Sequence, residues 1–380
     1  MSFLPKQLFK ITTLVLIFIA GLAGCSSEQA AEQDVPMSLT EWLDAEYEEQ
    51  LMRSPMNLTY LGRSERKDEL DEFTLASYKE DLAWQEASVA EMESRFDRAD
   101  LTESEQLSYD LWKYSYEQSA ASEAYFYNGL VFDQMNGLHS FVPTFFINFH
   151  TVESVSDFEA LVARLNLVKP RMMDALDIAR ESSERGVVVP YFAMEGVADQ
   201  SRKIISGQPF DAEADTDSAI WADVQRKIAG LLESDLLTEE EASALQTEAR
   251  DALLSSFGPA YEAIIAWAEE ERLSSPEVAT GIGAQEGGDE YYAHLLAQQT
   301  TTDLSADEIH TIGLNEVARL RNEMLGIMDQ VEFEGDLQAF FEEVRTGEWN
   351  YYPDTDEGRQ AYIDDATAAI DNLKALLPEY

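Results

Sequence analysis

A helix-start signal recurs along this chain and limits what it can fold into. Thr102 with Glu105, Thr238 with Glu241, and Ser305 with Glu308 each set a hydroxyl residue three positions before a glutamate. In such a pair the hydroxyl caps the first turn and the carboxylate reaches back to the capping residue's N–H. Apolar residues then recur at steps of three and four. Leu107, Leu111 and Tyr114 follow the first signal, and Ile309, Ile312, Val317, Leu320, Met324 and Ile327 follow the third. Phe158, Leu161, Val162, Leu165 and Val168 mark one face of another helix. Pro170 should end or kink that helix. Met172, Met173, Leu176 and Ile178 carry the spacing on to a stop at Arg185-Gly186. Phe340, Phe341 and Val344 come next, and Ile370, Leu373, Leu376 and Leu377 close the chain.

Strand signals are scarce. Val187-Val188-Val189 before Pro190 is a short extended candidate, and no Asn-Gly or Asp-Gly turn lies between alternating runs. Loops fall near Asn136-Gly137, Gly207 to Thr216, Leu273 to Gly288 and Glu348 to Gly358. No Pro-rich or Ser-rich linker divides the chain. The expected fold is one large all-α, multi-helix body.

Composition narrows the function. At 45% hydrophobic and 11% aromatic residues, the chain can bury a sizeable core. It carries 26 Lys and Arg against 74 Asp and Glu, a formal charge of −48. Nucleic-acid binding is excluded, because phosphate neutralisation needs clustered cations. Electrostatic adhesion to anionic lipid is excluded for the same reason. So acidic a surface repels itself, and high salt screens that repulsion, so a saline medium suits it.

The N-terminus reads as an address. Lys6 and Lys10 precede the apolar run Ile11 to Ala20, and Leu22-Ala23-Gly24-Cys25 follows. The run is short for a membrane span. The Leu-Ala-Gly-Cys tetrad resembles the bacterial lipobox, which implies lipidation of Cys25, the only cysteine. Several acyl chains would hold the protein to a membrane effectively permanently. Ser26 rather than aspartate follows the cysteine, which points to the outer membrane, facing the periplasm. The expected organisation is a lipoprotein signal over 1–24, a flexible acidic tether over 25–38 and an all-α domain over 39–380. A lone cysteine rules out an internal disulfide and a multi-cysteine zinc site.

The chemistry census is sparse. The histidines are His139, His150, His294 and His310, and none lies in a His-Glu-x-x-His pattern. Glu290 and His294 share a helical face but make only half of a zinc site. No Gly-x-Ser-x-Gly elbow and no phosphate loop is present. Tyr125-Phe126-Tyr127, Phe145-Phe146 and Tyr351-Tyr352 are candidates for core or groove lining.

Between Gly288 and Arg345 the chain carries Tyr291-Tyr292, Thr300-Thr301-Thr302, Glu308-Ile309-His310, Gly313-Leu314-x-Glu316-Val317-Ala318-Arg319 and Glu323-Met324. Phe340 and Val344-Arg345-Thr346 follow. This series resembles the bacterial domain-of-unknown-function family DUF885. Arg185-Gly186-Val187 with Pro190 is similar to that family's mid-chain segment, and Glu41-Trp42, Pro55 and Gly62 match its N-terminal region more loosely. The resemblance implies a lipoprotein or secreted body like the helical zinc metallopeptidases. Complete members carry a His-Glu-x-x-x-Gly-His-type stretch further on, where zinc-activated water attacks a peptide carbonyl. No position here matches those ligands. The expectation is a chain incomplete at its C-terminus, lacking the zinc motif, with no catalytic, cofactor-binding or metal residue of its own. Zinc is expected in a complete member only.

On this resemblance Tyr292, His310, Glu316 and Arg319 are candidate groove-lining residues. Glu316 and Arg319, three apart, equally suit an intrahelical ion pair. Two readings of function stand. One is the larger part of a metallopeptidase-like envelope lipoprotein, inactive as given. The other is a non-catalytic lipoprotein that binds peptides or an envelope partner. A body cut across its core should expose an unusually large apolar patch.

Overall fold

A computed structural model describes residues 37–377, and helices make up its regular structure. The fourteen described α-helices are α1 Leu39–Arg53, α2 Pro55–Tyr60, α3 Leu75–Arg95, α4 Glu103–Ser122, α5 Leu138–Asn148, α6 Val155–Glu184, α7 Tyr191–Ile204, α8 Ala219–Glu233, α9 Glu239–Ala252, α10 Gly258–Glu271, α11 Gly288–Thr300, α12 Ala306–Gln330, α13 Leu337–Thr346 and α14 Asp356–Leu376. No strand occurs among the described residues; Gln208 and Asp217 form an isolated bridge. Val187 to Val189 is irregular backbone with Val187 and Val189 buried. The signal, Cys25 and most of the tether lie outside the described residues. None of the described helices is long and apolar enough to cross a membrane.

The three capping pairs form as their spacing requires. Glu105 Oε2 accepts from the Thr102 N–H at 2.9 Å, and Thr102 Oγ1 accepts from the Glu105 N–H at 3.3 Å. Thr238 with Glu241 and Ser305 with Glu308 repeat the exchange. Ser38 with Glu41 makes a further box at the start of α1. Each cap stabilises its helix by about 1 kcal/mol.

Pro170 does not end its helix. α6 continues through it for thirty residues in all. A proline removes one N–H and leaves the carbonyl four residues back without its donor. That carbonyl belongs to Asn166, and Ser256 Oγ donates to it at 3.0 Å. The same hydroxyl accepts from the Lys169 N–H at 3.0 Å. Ser256 lies in a π-helical turn, Leu253–Phe257, wedged between α9 and α10. A buried serine from a distant helix thus replaces what the proline takes away.

The main core joins α5 to α10. Phe145, Phe146, Phe158, Leu161, Leu165, Phe257 and Tyr261 are fully enclosed there. Phe257 stacks on Tyr261 at 4.6 Å, and the Tyr261 hydroxyl donates to the His139 carbonyl at 2.7 Å. A smaller cluster of Leu39, Trp42, Met92 and Tyr109 joins α1, α3 and α4. Beyond α11 burial stops. Met328 is the one buried residue of α12, Gly358 that of α14, and α13 has none.

Candidate functional site: a two-part cleft

A buried guanidinium holds the floor of the cleft. Arg164 falls on the apolar face of α6, between Leu161 and Leu165, and is wholly enclosed. It donates to the Glu69 carbonyl at 2.7 Å, the Pro55 carbonyl at 3.1 Å and Thr59 Oγ1 at 2.8 Å. It also donates to His150 Nδ1 at 3.0 Å, so the His150 proton sits on Nε2 and goes to the Asp157 carbonyl at 3.0 Å. Burial lowers Arg164 to about 10 and His150 to about 3, because both charged forms lose water there. These bonds clamp α2 and the loop after it onto α6. Asp71 completes the clamp, accepting from Ser54 Oγ at 2.7 Å and from the Met56 N–H at 2.9 Å.

Above this floor α1, α3 and the 66–73 loop enclose a cleft of about 990 Å³. Six carboxylates line it: Glu49, Glu69, Asp71, Glu72, Glu80 and Asp81. Three arginines oppose them, each held by one: Arg53 to Asp81 at 2.7 Å, Arg66 to Glu69 at 2.7 Å and Arg171 to Glu72 at 2.9 Å. The wall keeps an excess of negative charge. Trp84 donates to Glu49 at 2.8 Å and lies 5.5 Å beneath the Arg53 guanidinium.

A second recess of about 490 Å³ opens beside it. Phe73, Tyr78, Phe126, Leu130, Phe141 and Ile178 make it apolar. Tyr78 packs 5.2 Å from Phe126 and donates its hydroxyl to the Ser119 carbonyl at 2.8 Å. Burial pushes the Tyr78 hydroxyl above its usual range. Glu72, Phe73, Ser77 and Asp81 line both chambers, so the two are one cleft, acidic at one end and aromatic at the other.

The residues singled out in the sequence lie elsewhere. Tyr292 is exposed on α11. His310, Glu316 and Arg319 are exposed on α12 and line neither chamber. Arg319 bridges Glu316 at 2.7 Å and Glu323 at 2.6 Å on its own helix. His310 is therefore not packed, although its face carries Leu314 and Val317. His294 Nε2 meets Ser122 Oγ at 3.1 Å and its ring stacks on Tyr125 at 4.8 Å. His139 pairs with Gln200 at 2.8 Å. No group of three or more His, Cys, Asp or Glu suited to a metal occurs among the described residues. His139, His150 and His294 are each engaged separately and His310 stands exposed on α12, so these residues do not fit zinc.

The aromatic clusters split. Phe145 and Phe146 are core, Phe126 lines the recess, and Tyr351 and Tyr352 stay exposed. Arg164 beneath the cleft and the lining residues Asp71, Phe73 and Trp84 are not evident from local pattern. Arg164 alone left a trace, a charge inside the apolar stripe that starts at Phe158.

Comparison with curated proteins found no match. Among solved structures the chain is similar to "the putative lipoprotein from Colwellia psychrerythraea", at 18% identity and a TM-score of 0.67. The likeness covers 89% of this chain and shows a shared fold; the chain spans 59% of the length of that structure. Residues 55–380 match the family described as bacterial protein of unknown function, DUF885, and the chain belongs to that family.

Proposed function

We propose that this chain is a lipid-anchored protein of the bacterial envelope that binds peptide segments pairing a bulky apolar residue with a basic one. The carrying observation is the shared wall of Glu72, Phe73, Ser77 and Asp81, which makes an acidic and an aromatic chamber one site. Sites of this size, largely preformed and apolar at one end, are the usual form of ligand pockets. An apolar side chain would fill the recess at Phe126, and a Lys or Arg would meet the excess carboxylates beside Trp84. The net charge of −48 steers cationic ligands in and anionic ones away.

The family resemblance implies zinc-dependent peptide chemistry for complete members. We assign this chain the binding part of such an activity and derive no step through a metal. The anchor rests on Cys25, on Ser26 after it, and on the likeness to a protein described as a lipoprotein. In this reading the chain faces the periplasm from the outer membrane.

Fluorescence anisotropy with labelled short peptides tests the site. Peptides with adjacent Phe and Arg should bind about tenfold tighter than their Phe-Glu counterparts, a difference of about 1.4 kcal/mol. Phe126→Ala should erase most of that affinity. Equal binding of both peptides, or no loss in the variant, sinks the proposal. For the anchor, Cys25→Ser should move the protein from the membrane fraction to the soluble one; retention on the membrane would refute it.

A further inference from the structure

Two Asn-Gly dipeptides meet the aromatic recess, and the fold treats them differently. Gly129, which follows Asn128, and Asn136, which precedes Gly137, both line its wall. Asn128 ends the short 3₁₀ helix Glu123–Asn128 and is half-buried, and its amide donates to Gln285 Oε1 at 3.4 Å. Asn136 is exposed, in the turn that leads into α5. Asp133 Oδ1 accepts from the Met135 N–H at 2.6 Å and from the Asn136 N–H at 2.8 Å, which fixes the backbone of that turn. No hydrogen bond among the described residues engages the Asn136 side-chain amide.

Gly137 lies against a buried base. A Cβ there would fall 2.6 Å from His139 Nδ1 and 2.7 Å from the Asp133 nitrogen, so only glycine fits. Beyond its chain neighbours, nothing comes within 4 Å of the same point on Gly129. The His139 ring is enclosed, and its partners fix its tautomer. Gln200 donates through Nε2 to the Gln134 carbonyl at 2.8 Å. Its Oε1 therefore faces His139 Nε2, 2.8 Å away, and accepts the imidazole proton. Nδ1 is left with its lone pair and no hydrogen-bond partner. Burial lowers the imidazole from its ordinary value, which keeps that lone pair free at neutral pH.

We propose that Asn136 deamidates spontaneously in the folded chain, with His139 as the base, while Asn128 is spared. The Gly137 nitrogen bonds to Asn136 Cγ and gives its proton to His139 Nδ1. The Cγ–Nδ2 bond breaks, and ammonia leaves with that proton. Water then opens the cyclic imide at either carbonyl, leaving aspartate or isoaspartate at position 136. A carboxylate thereby enters the recess wall that Leu138 and Phe141 also form. The modification does not depend on the ligand proposed for the cleft.

The test ages the whole folded chain in neutral buffer and maps both sites by mass spectrometry, reading the one-unit mass gain and the isoaspartate fragments. Conversion at position 136 should outpace that at 128 by at least about tenfold, a fraction of what a well-placed general base supplies. In urea the two sites should convert alike, because only the neighbouring sequence then counts. His139→Gln, with its fold checked by circular dichroism, should bring the rate at 136 down toward that at 128. Equal rates in the folded chain, conversion of Asn128 first, or the same preference in urea overturns the proposal, and none of these readings needs a variant. A rate at 136 that His139→Gln leaves unchanged overturns it as well.

Discussion

α8 and α12 start from the same instructions and end in opposite surroundings. Each begins at a serine whose hydroxyl accepts a first-turn N–H, Ser218 from Trp221 and Ser305 from Glu308. Each then carries isoleucine, leucine and valine at steps of three and four. On α8 the row Ile220, Val224, Ile228 and Leu231 is buried to 5% exposure or less, while the α12 row stands in water. The caps and spacing make a helix in both cases, because those interactions close within a few residues. Burial requires a partner surface, and α8 packs extensively on α5, α6 and α9, whereas among the described helices α12 packs extensively on α13 alone. Amphipathicity names a face without saying that anything covers it.

The largest effect should separate the two regions directly. Phe257→Ala opens a cavity in the enclosed core and should cost about 3–5 kcal/mol of unfolding free energy. Leu373→Ala on exposed α14 should stay within about 0.5 kcal/mol. Urea unfolding of both variants measures the contrast, and comparable losses would place the C-terminal helices inside the cooperative core.

Next comes the polar clamp. Arg164→Met fills similar volume but leaves the Glu69 and Pro55 carbonyls short of a buried donor. Unmet buried acceptors cost about 1–3 kcal/mol, so a loss of about 2–3 kcal/mol is expected. Peptide affinity should fall with it, because the loop flooring the cleft is freed. Unchanged affinity in a destabilised variant would confine Arg164 to stability alone.

A pH series sharpens the same division. His150 is held neutral in the folded chain, its value lowered from 6.5 to about 3 by burial. The unfolded chain therefore binds the proton first as pH falls. The stability that neutral His150 supports is intact above about pH 6.5 and is lost progressively toward pH 3. His150→Gln should flatten that slope, whereas His310→Gln on exposed α12 should leave it as it was. Thermal unfolding from pH 7 to 4 reads both.

The smallest effect belongs to the exposed ion pairs. Arg319→Ala removes two bridges from α12, yet water and salt already screen them. Its melting temperature should match the parent's at moderate salt. A clear drop would show that the bridges hold more than one helix.

The helices could be read from the sequence because their determinants are local. Thr102, Thr238 and Ser305 marked true starts, and Gly186, at a φ of +85°, sits just past the end of α6 as its position suggested. Pro170 does not end α6, because the hydroxyl that repairs the backbone there comes from Ser256, far along the chain. The cleft escaped for a similar reason. Its floor joins Arg164 to carbonyls of Pro55 and Glu69, and its recess joins Phe73 to Phe126, pairings that no periodicity encodes. The candidates Tyr292, His310, Glu316 and Arg319 came from resemblance in one stretch, and the structure puts that stretch on the surface, away from both chambers.

By itself the sequence determined an all-α chain, its helix starts, its strongly acidic surface and its family. These follow from composition and from hydrogen bonds closed within four residues. The tertiary structure decided which apolar rows are buried, how α6 passes its proline, and where acidic and aromatic residues meet as one cleft. Those outcomes depend on surfaces that meet only when distant segments pack, and the free energy of removing them from water is set by that meeting.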